Sequence, residues 1–280
     1  MKVLVTGAKG QLGQDILRLL EGYSWEVFGL GRAELDITNQ QRVNEKVFSI
    51  KPDVIIHTAA YTQVDQAESD EEMAFKVNGD GTKYLAQAAE GVGAKFCYVS
   101  TDYVFDGKSK RPYKPEDQTN PQTVYGKSKL AGEQYTIKYC SKYFIVRTSW
   151  VFGLYGNNFV KTMLRLAEER NELGVVHDQI GSPTYTGDLA KFLVEVTQNE
   201  KYGIYHASNS GSCSWYEFAQ EIFKVSNKSI VLKSLKTEEY PTPAKRPYFS
   251  VMDNRNDVMH FPHWSLALQL FIRQIKGIKK

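Results

Sequence analysis

The first thirteen residues constrain the fold more than any other part of the chain. Lys2–Thr6 is a predicted buried strand, residues 7–13 form a GxxGxxG loop, and apolar residues then recur at helical spacing. In that order, Gly7 permits a tight turn, Gly10 lets a pyrophosphate approach the backbone, and Gly13 lets the helix pack close to the sheet. The pattern therefore predicts a dinucleotide site at a helix N-terminus. A glycine-rich turn that binds no ligand is the alternative.

Strand and helix patterns alternate over the first 150 residues. Strands are predicted at residues 2–6, 25–30, 53–57, 95–99 and 143–147, and helices at 12–20, 39–50, 70–91 and 124–140. This alternation predicts right-handed βαβ units and a parallel sheet covered by helices on both faces. The predicted fold class is α/β, a Rossmann-type doubly wound parallel sheet. Ligands of such sheets bind at the carboxyl ends of the strands, so the loops after the strands are expected to carry the chemistry.

The second half of the chain is less regular. Helices are predicted at residues 157–171, 188–197, 214–225 and 264–275, and a short strand is predicted at 204–206. The four prolines between 226 and 262 indicate loops and short elements. We therefore predict an NAD(P)-binding Rossmann domain over residues 1–150, to which segments around residues 186–210 return. Residues 151–280 are predicted to form mainly a smaller C-terminal substrate-binding lobe.

Composition narrows the choice of partners. Lys and Arg number 35 against 32 Asp and Glu, and the net charge of +3 is too small to indicate a nucleic-acid or membrane partner. No apolar run approaches the roughly 18 residues of a membrane-spanning helix, and the N-terminal apolar stretch is too short for a signal peptide. Cys97, Cys140 and Cys213 show no CxxC spacing, which argues against a zinc site or a disulfide framework. We expect a cytoplasmic protein that acts on a small molecule.

The residue after the second predicted strand indicates the type of nicotinamide cofactor. An acidic residue there would bind a ribose 2′-hydroxyl, but Arg32 occupies the position and its guanidinium suits a 2′-phosphate. The prediction is NADPH, with NADH as a usable second cofactor, because Glu34 and Asp36 would repel the phosphate. An Arg32 that is only a solvated surface residue is the alternative.

Small residues after the third predicted strand suit the same ligand. Ala59 and Ala60 would let a cofactor lie flat against the backbone, although tight packing of a helix on the sheet explains these alanines equally well. Asp36 and Ile37, which follow the second strand, are expected to border the adenine.

Two further segments carry residue types that suit catalysis. The fourth predicted strand runs towards Thr101, and the next predicted helix carries Tyr125 and Lys129, which are four residues apart and so share one helix face. A nearby ammonium lowers the pKa of a phenol, which would make Tyr125 a general acid and base near neutral pH. The Thr101 hydroxyl can hydrogen-bond the same substrate oxygen. A YxxxK spacing alone is weak evidence for a catalytic pair, because it occurs by chance in many helices. Together with the glycine loop and a Thr at a strand end, it is strong evidence.

Together these motifs resemble the extended short-chain dehydrogenases/reductases, a superfamily with a Rossmann domain and a Ser/Thr–Tyr–Lys triad. Thr101, Tyr125 and Lys129 match the triad by residue type. Within the superfamily the chain resembles the dTDP-4-dehydrorhamnose reductase family. The similar blocks span almost the whole chain and lie at residues 4–13, 59–68, 100–107, 147–153 and 246–247.

The resemblance implies an enzyme that reduces dTDP-4-dehydro-L-rhamnose, a 4-keto-6-deoxy nucleotide sugar, to dTDP-L-rhamnose for bacterial cell-surface polysaccharide. Hydride would pass from NAD(P)H to C4, and Tyr125 would protonate the new alkoxide. The residues expected to bind the cofactor are Gly7, Gly10, Gln11, Leu12, Gly13, Arg32, Asp36, Ile37, Ala59, Ala60, Tyr61, Asn78, Tyr125 and Lys129. Those expected to contact the substrate are Val64, Asp65, Thr101, Asp102, Tyr103, Trp150 and Arg246. A core tryptophan is the alternative for Trp150.

Departures from related enzymes refine this expectation. Nucleotide-sugar dehydratases of the superfamily carry a Thr-Asp-Glu string, whereas this chain has Tyr103 at the third position, so elimination of water is not expected. Some reductases of the family bind magnesium through acidic residues at a dimer interface. Asp15 and Asp188 match only part of such a ligand set, so no metal is predicted. The oligomeric state, a homodimer included, is left open.

Two other functions remain as alternatives. A non-catalytic regulatory subunit of a synthetase has a similar fold, but it would have no need of Thr101, Tyr125 and Lys129. A nucleotide-sugar epimerase would retain NAD tightly and return the hydride. Copurified NAD therefore distinguishes an epimerase from a reductase, which exchanges its cofactor freely.

Overall fold

The structure is a computed structural model that describes residues 1–278. In this part of the chain the strands are β1 (Lys2–Thr6), β2 (Glu26–Leu30), β3 (Val54–His57), β4 (Lys95–Thr101), β5 (Tyr143–Thr148), β6 (Val151–Phe152), β7 (Glu172–Val176), β8 (Ile180–Gly181), β9 (Thr184–Tyr185), β10 (Gly203–His206), β11 (Cys213–Ser214) and β12 (Val231–Leu235). The α-helices are α1 (Gln11–Leu20), α2 (Gln40–Ile50), α3 (Val64–Ala67), α4 (Glu71–Phe75), α5 (Thr82–Val92), α6 (Val124–Tyr139), α7 (Phe159–Glu169), α8 (Thr186–Thr197), α9 (Trp215–Ser226) and α10 (Trp264–Ile278).

Six parallel strands form the central sheet in the order β10-β5-β4-β3-β1-β2. The strand order reverses between β1 and β3, so a crevice for ligands opens at the carboxyl ends of these two strands. The predicted Rossmann-type α/β fold is confirmed.

Alternating side chains of β1 supply a separate core on each face of the sheet. Val3 and Val5 pack with Ile16 of α1 and Phe192 of α8. Leu4, which points to the opposite face, packs in the cluster that α2 and α5 cover. Because both faces are buried, the strands consist of nearly continuous apolar residues, which is why the sequence pattern located them closely.

The chain leaves the central sheet after β5, returns to it, and leaves again. α8 packs on α1, and β10 pairs with β5 at the edge of the sheet. The remaining elements, α7, α9, α10 and the parallel pair β7–β12, enclose a third apolar cluster that includes Phe152, Phe218 and Phe271. The division of the chain at residue 150 stays a prediction. Across residues 1–278, no helix combines the length and the apolar character that a bilayer crossing requires.

The segment 226–262, expected to hold loops and short elements, contains the short strand β12, which ends before the first of its prolines at residue 241. One part of the fold differs from the sequence-based expectation. The helix expected over 70–91 contains a π-helical section, Lys76–Gly81, between α4 and α5. That section includes two of the chain's glycines, Gly79 and Gly81, and a Cβ on Gly81 would lie 2.8 Å from the Ile37 side chain.

Candidate active site

A cleft of about 1020 Å³ lies along the carboxyl ends of the sheet strands. Most of the residues predicted to bind cofactor or substrate line it. These are Gly7, Gly10, Gln11, Leu12, Gly13, Arg32, Asp36, Ile37, Ala59, Ala60, Tyr61, Val64, Thr101, Asp102, Tyr103, Tyr125, Lys129 and Trp150. The glycine loop and the triad residues therefore belong to one continuous site.

The glycine loop fits tightly between β3 and α1. Gly7 has a φ of +68°, and a Cβ there would lie 2.6 Å from the backbone nitrogen of Ala59. A Cβ on Gly13 would lie 2.3 Å from the carbonyl oxygen of Gly7. No side chain caps α1, whose first residues line the cleft with free backbone N–H groups. This cradle fits the pyrophosphate of a dinucleotide.

The rim beyond β2 carries both signs of charge. Glu34 accepts hydrogen bonds from Lys9 Nζ at 2.7 Å and from the Gly31 backbone at 3.0 Å. Asp36 accepts from the backbone and the hydroxyl of Thr38, at 3.0 and 2.8 Å. Both carboxylates are therefore engaged locally, and Arg32 lies exposed at the same rim.

The helix that carries Tyr125 begins with a side-chain cap. The Thr123 hydroxyl accepts a hydrogen bond from the Gly126 backbone at 3.0 Å, which starts α6 directly before Tyr125. A Cβ on Gly126 would lie 2.2 Å from the Tyr103 carbonyl oxygen, so the helix end lies hard against the loop after β4. The rings of Tyr103 and Tyr125 pack edge to face, with centroids 5.5 Å apart.

Lys129 is held deep in the wall of the cleft. Its side chain is buried, Nζ donates to the Val99 carbonyl at 2.7 Å, and Nζ lies 4.2 Å from the centroid of the Tyr98 ring. Burial lowers the pKa of Lys129 to about 7, and the charge of Glu133 on the same helix opposes this shift.

The expectation that the neighbouring ammonium brings the pKa of Tyr125 close to neutral is wrong for this structure. Burial raises the pKa of Tyr125 to about 12, the neighbouring Thr101 hydroxyl opposes the shift, and the charge of Asp102 adds to it. The expectation used the spacing of Tyr125 and Lys129 on α6 but not the depth at which both lie. Tyr125 is therefore a protonated phenol at neutral pH, which is the form that a proton donor requires.

Thr101 and Asp102 lie together at the end of β4. Thr101 Oγ1 accepts a hydrogen bond from the Tyr103 backbone at 3.2 Å and donates one to Asp102 Oδ1 at 3.0 Å. Asp102 is buried, and its Oδ2 has no hydrogen-bond partner in the part of the chain that the structure describes. Burial raises the pKa of Asp102 to about 6.

Comparison with known proteins adds an independent finding. The family model described as the RmlD substrate binding domain matches residues 1–276. A dTDP-4-dehydrorhamnose reductase from Aggregatibacter actinomycetemcomitans is 48% identical over 265 residues, which cover 90% of this chain and 90% of that protein. The chain belongs to the dTDP-4-dehydrorhamnose reductase family.

Two more proteins are similar to this chain over nearly its full length. The spore coat polysaccharide biosynthesis protein SpsK from Bacillus subtilis is 44% identical over 276 residues, which are 98% of this chain and 97% of that protein. A crystal structure of the dTDP-4-dehydrorhamnose reductase from Bacillus anthracis in complex with NADP is 44% identical. It has a TM-score of 0.96 and covers 98% of this chain and 99% of that one.

Three residues predicted from the resemblance to this reductase family do not line the cleft. Asn78 is buried behind it, where it accepts from the Tyr61 backbone nitrogen at 2.8 Å and donates to the Tyr61 carbonyl at 3.0 Å and to Ser128 Oγ at 2.9 Å. Asp65 and Arg246 form an ion pair of 2.6 Å with each other. Their charges are therefore directed at each other, and Asn78 supports the loop that lines the cleft.

Several cleft residues of this reductase-family chain were not predicted. Thr148 is the last residue of β5 and Ser149 follows it, and the rule that ligands bind at the carboxyl ends of parallel strands could have found both. Met73, Gly156 and Asn157 also line the cleft and carry no sequence signal for it. Met73 comes from α4, whereas Gly156 and Asn157 lie in the loop before α7.

The two acidic residues considered for magnesium are engaged with protein groups. Asp15 accepts a hydrogen bond from the Thr186 hydroxyl, and Asp188 accepts one from Asn209 Nδ2 at 2.7 Å. Burial raises the pKa of both carboxyls. Across residues 1–278, no group of three or more His, Cys, Asp or Glu side chains is arranged to hold a metal ion.

Proposed function

We propose that this chain reduces dTDP-4-dehydro-L-rhamnose to dTDP-L-rhamnose, with NADPH as the preferred reductant and NADH as a usable second. The observation that carries the proposal is that Thr101, Tyr125 and Lys129 line the same cleft as an uncapped glycine-loop helix. Membership of the reductase family supports the choice of substrate, and the NADP complex of the Bacillus anthracis relative supports the cofactor.

The chain's own residues would hold the dinucleotide at four places. The N–H groups at the start of α1 bind the pyrophosphate, Arg32 pairs with the 2′-phosphate, and Asp36 and Ile37 border the adenine. Ala59, Ala60 and Tyr61 form the floor under the nicotinamide half. When bound, NADPH supplies the hydride that reduces C4.

Proton transfer to the sugar is the role of Tyr125. The phenol of Tyr125, whose pKa burial raises to about 12, is protonated at neutral pH and can donate to the oxygen on C4 as negative charge develops there. The Lys129 ammonium stabilises the phenolate that remains, and Thr101 donates to or accepts from the same sugar oxygen. Within residues 1–278 the Nζ of Lys129 makes one hydrogen bond, so its other N–H groups can serve a ligand.

Substrate residues lie at the triad end of the cleft. Asp102 lines this end of the cleft beside Thr101, to which its Oδ1 is hydrogen-bonded. Val64, Tyr103 and Trp150 present apolar surface beside it. Asp65 and Arg246, paired with each other, would shape the entrance to this end of the cleft.

The direct test follows NADPH absorbance with dTDP-4-dehydro-L-rhamnose generated in situ, and identifies the product by NMR. We expect stoichiometric oxidation of NADPH and a 6-deoxy-4-hydroxy sugar. A 4-keto-6-deoxy product from dTDP-glucose would overturn the proposal, because it would mean that the chain eliminates water although Tyr103 replaces the dehydratase carboxylate.

The same protein preparation separates the alternatives. A nucleotide-sugar epimerase would purify with tightly bound NAD and turn over without added cofactor. A regulatory subunit would bind its partner equally well with Tyr125→Phe. We also propose a cytoplasmic location for the reductase. A homodimer is a further proposal, which light scattering of the purified chain tests.

A further inference from the structure

Trp150 has a backbone conformation that residues with a side chain rarely adopt. Its φ is +47°, and it directly follows Ser149 at the exit from β5. Left-handed backbone at a bulky residue is disfavoured and persists only where its surroundings enforce it. Trp150 is one of the residues that line the cleft. The backbone strain at Trp150 therefore lies at the candidate site, and neighbouring residues must hold it in place.

Trp215 supplies one of the contacts that hold Trp150 in place. Its indole stacks on that of Trp150 with ring centroids 3.5 Å apart and an interplanar angle of 8°. Trp215 does not line the cleft itself, and it packs in turn on Phe159, with centroids 4.6 Å apart. Of the two tryptophans, only Trp150 lines the cleft.

Gly181 supplies the other contact. A Cβ on Gly181 would lie 2.5 Å from Cε2 of the Trp150 indole, so the ring occupies the space that any side chain there would need. Gly181 of β8 pairs with Cys213 of β11, and Trp215 comes two residues after Cys213. One short antiparallel pair thus brings both contacts to Trp150 from the C-terminal part of the chain.

We propose that Trp215 is a positioning residue that holds the Trp150 indole as an apolar wall for the sugar, and so determines the affinity for the 6-deoxy sugar of the substrate. The inference rests on the proposed function, since it takes the sugar to lie beside Trp150. A flat aromatic face suits the apolar side of a deoxy sugar, and a fixed ring loses less conformational freedom on binding than a mobile one.

The test compares two ligands that differ only in the sugar. Dissociation constants for dTDP and for dTDP-L-rhamnose are measured by calorimetry in the presence of NADP⁺. In Trp215→Leu we expect the preference for dTDP-L-rhamnose over dTDP to fall about tenfold, which equals about 1.4 kcal/mol, while the constant for dTDP is unchanged. Trp215→Phe keeps a flat ring and should retain most of the preference.

Two further variants keep the proposal falsifiable. Trp264→Leu removes a tryptophan from the same apolar cluster, where it packs edge to face on Phe218, and should leave the preference as in the wild type. Gly181→Ala should reduce the preference, because it displaces the indole from the other contact. It also provides the test if Trp215→Leu does not fold.

The outcomes distinguish this inference from the proposed function. If the wild type binds dTDP-L-rhamnose no better than dTDP and does not reduce the keto sugar, the proposed function fails. If the wild type shows the preference and both Trp215→Leu and Gly181→Ala retain it, or lose affinity for both ligands equally, the positioning role of Trp215 is overturned.

Discussion

Glu133 and Arg147 form a two-point ion pair in the interior, with Nε to Oε1 at 2.9 Å and Nη2 to Oε2 at 2.7 Å. Ser100 Oγ also donates to Glu133 Oε1 at 2.5 Å. Glu133 follows Lys129 by one turn of α6. The pair therefore joins the ends of β4 and β5 to the helix that carries Tyr125 and Lys129.

The pH dependence of turnover should report the charge of Lys129. The ammonium is present below its pKa of about 7 and is lost above it, so we expect kcat/KM of the wild type to fall as the pH rises through that value. In Glu133→Gln the charge that favours the ammonium is gone, and the alkaline limb should move down by roughly one pH unit. Glu169→Gln, which removes a carboxylate from an exposed pair on α7, is the control. If the pH profiles of kcat/KM for Glu133→Gln and the wild type superpose, the assignment of the alkaline limb to Lys129 is contradicted.

The same pair should matter for folding. Glu133→Gln leaves Arg147 buried without its counter-charge, so we expect a loss of about 3–5 kcal/mol in the free energy of unfolding. Glu133→Gln combined with Arg147→Met removes both charges and should recover part of the loss. Denaturant titration measures the free energy of unfolding of each variant. If the losses of the two single variants add up in the double variant, the two side chains are not coupled.

Tyr125→Phe should lower kcat by about 10²–10⁴-fold, because a positioned proton donor contributes that much. The dissociation constant for NADPH should stay near the wild-type value, since the cradle at α1 is untouched. Lys129→Met should damage both rate and cofactor binding. Stopped-flow turnover and fluorescence titration give the two quantities, and wild-type turnover in Tyr125→Phe would exclude it as the acid.

Arg32→Ala should lower kcat/KM for NADPH much more than for NADH. The Arg32 guanidinium is exposed at the rim, while Glu34 is engaged by Lys9 and the Gly31 backbone. An Arg–phosphate contact is charge-assisted and frequently bidentate, so its loss falls on the phosphorylated cofactor. Arg165→Ala, on α7, is a matched loss of one positive charge. An unchanged cofactor ratio in Arg32→Ala would mean that Arg32 is surface only.

Asp65→Asn and Arg246→Gln should have effects on KM for the keto sugar that do not add. The two side chains pair at 2.6 Å, and Asp65 also accepts from the Ala244 backbone at 3.1 Å. If the pair acts as a unit, the double variant is no worse than the worse single variant. Additive effects would instead support separate contacts of each side chain with the substrate, as the resemblance implied.

The sequence was sufficient for the features that local patterns control. Lys2–Thr6 was predicted with the bounds that β1 has, because its buried residues are contiguous and a glycine ends it. Contacts between residues from distant segments were not predictable in this way. Asp65 and Arg246 are 181 residues apart, and nothing local to either shows that they pair. The spacing of Tyr125 and Lys129 identified their shared face, but their pKa values depend on burial by surrounding elements, which one helix cannot reveal.

The return of β10 to the central sheet has a consequence for any attempt to dissect this chain. Because residues 203–206 hydrogen-bond along β5, a fragment ending at residue 150 would present an open strand edge to solvent. It would also lack α8, which covers α1. Residues 186–206 thus complete the central sheet and its covering layer although they follow residue 150 in the chain, so a single cut at that point would divide the sheet. Truncation is therefore an unsuitable way to assign activity here, and point variants in the full-length chain are the appropriate tool.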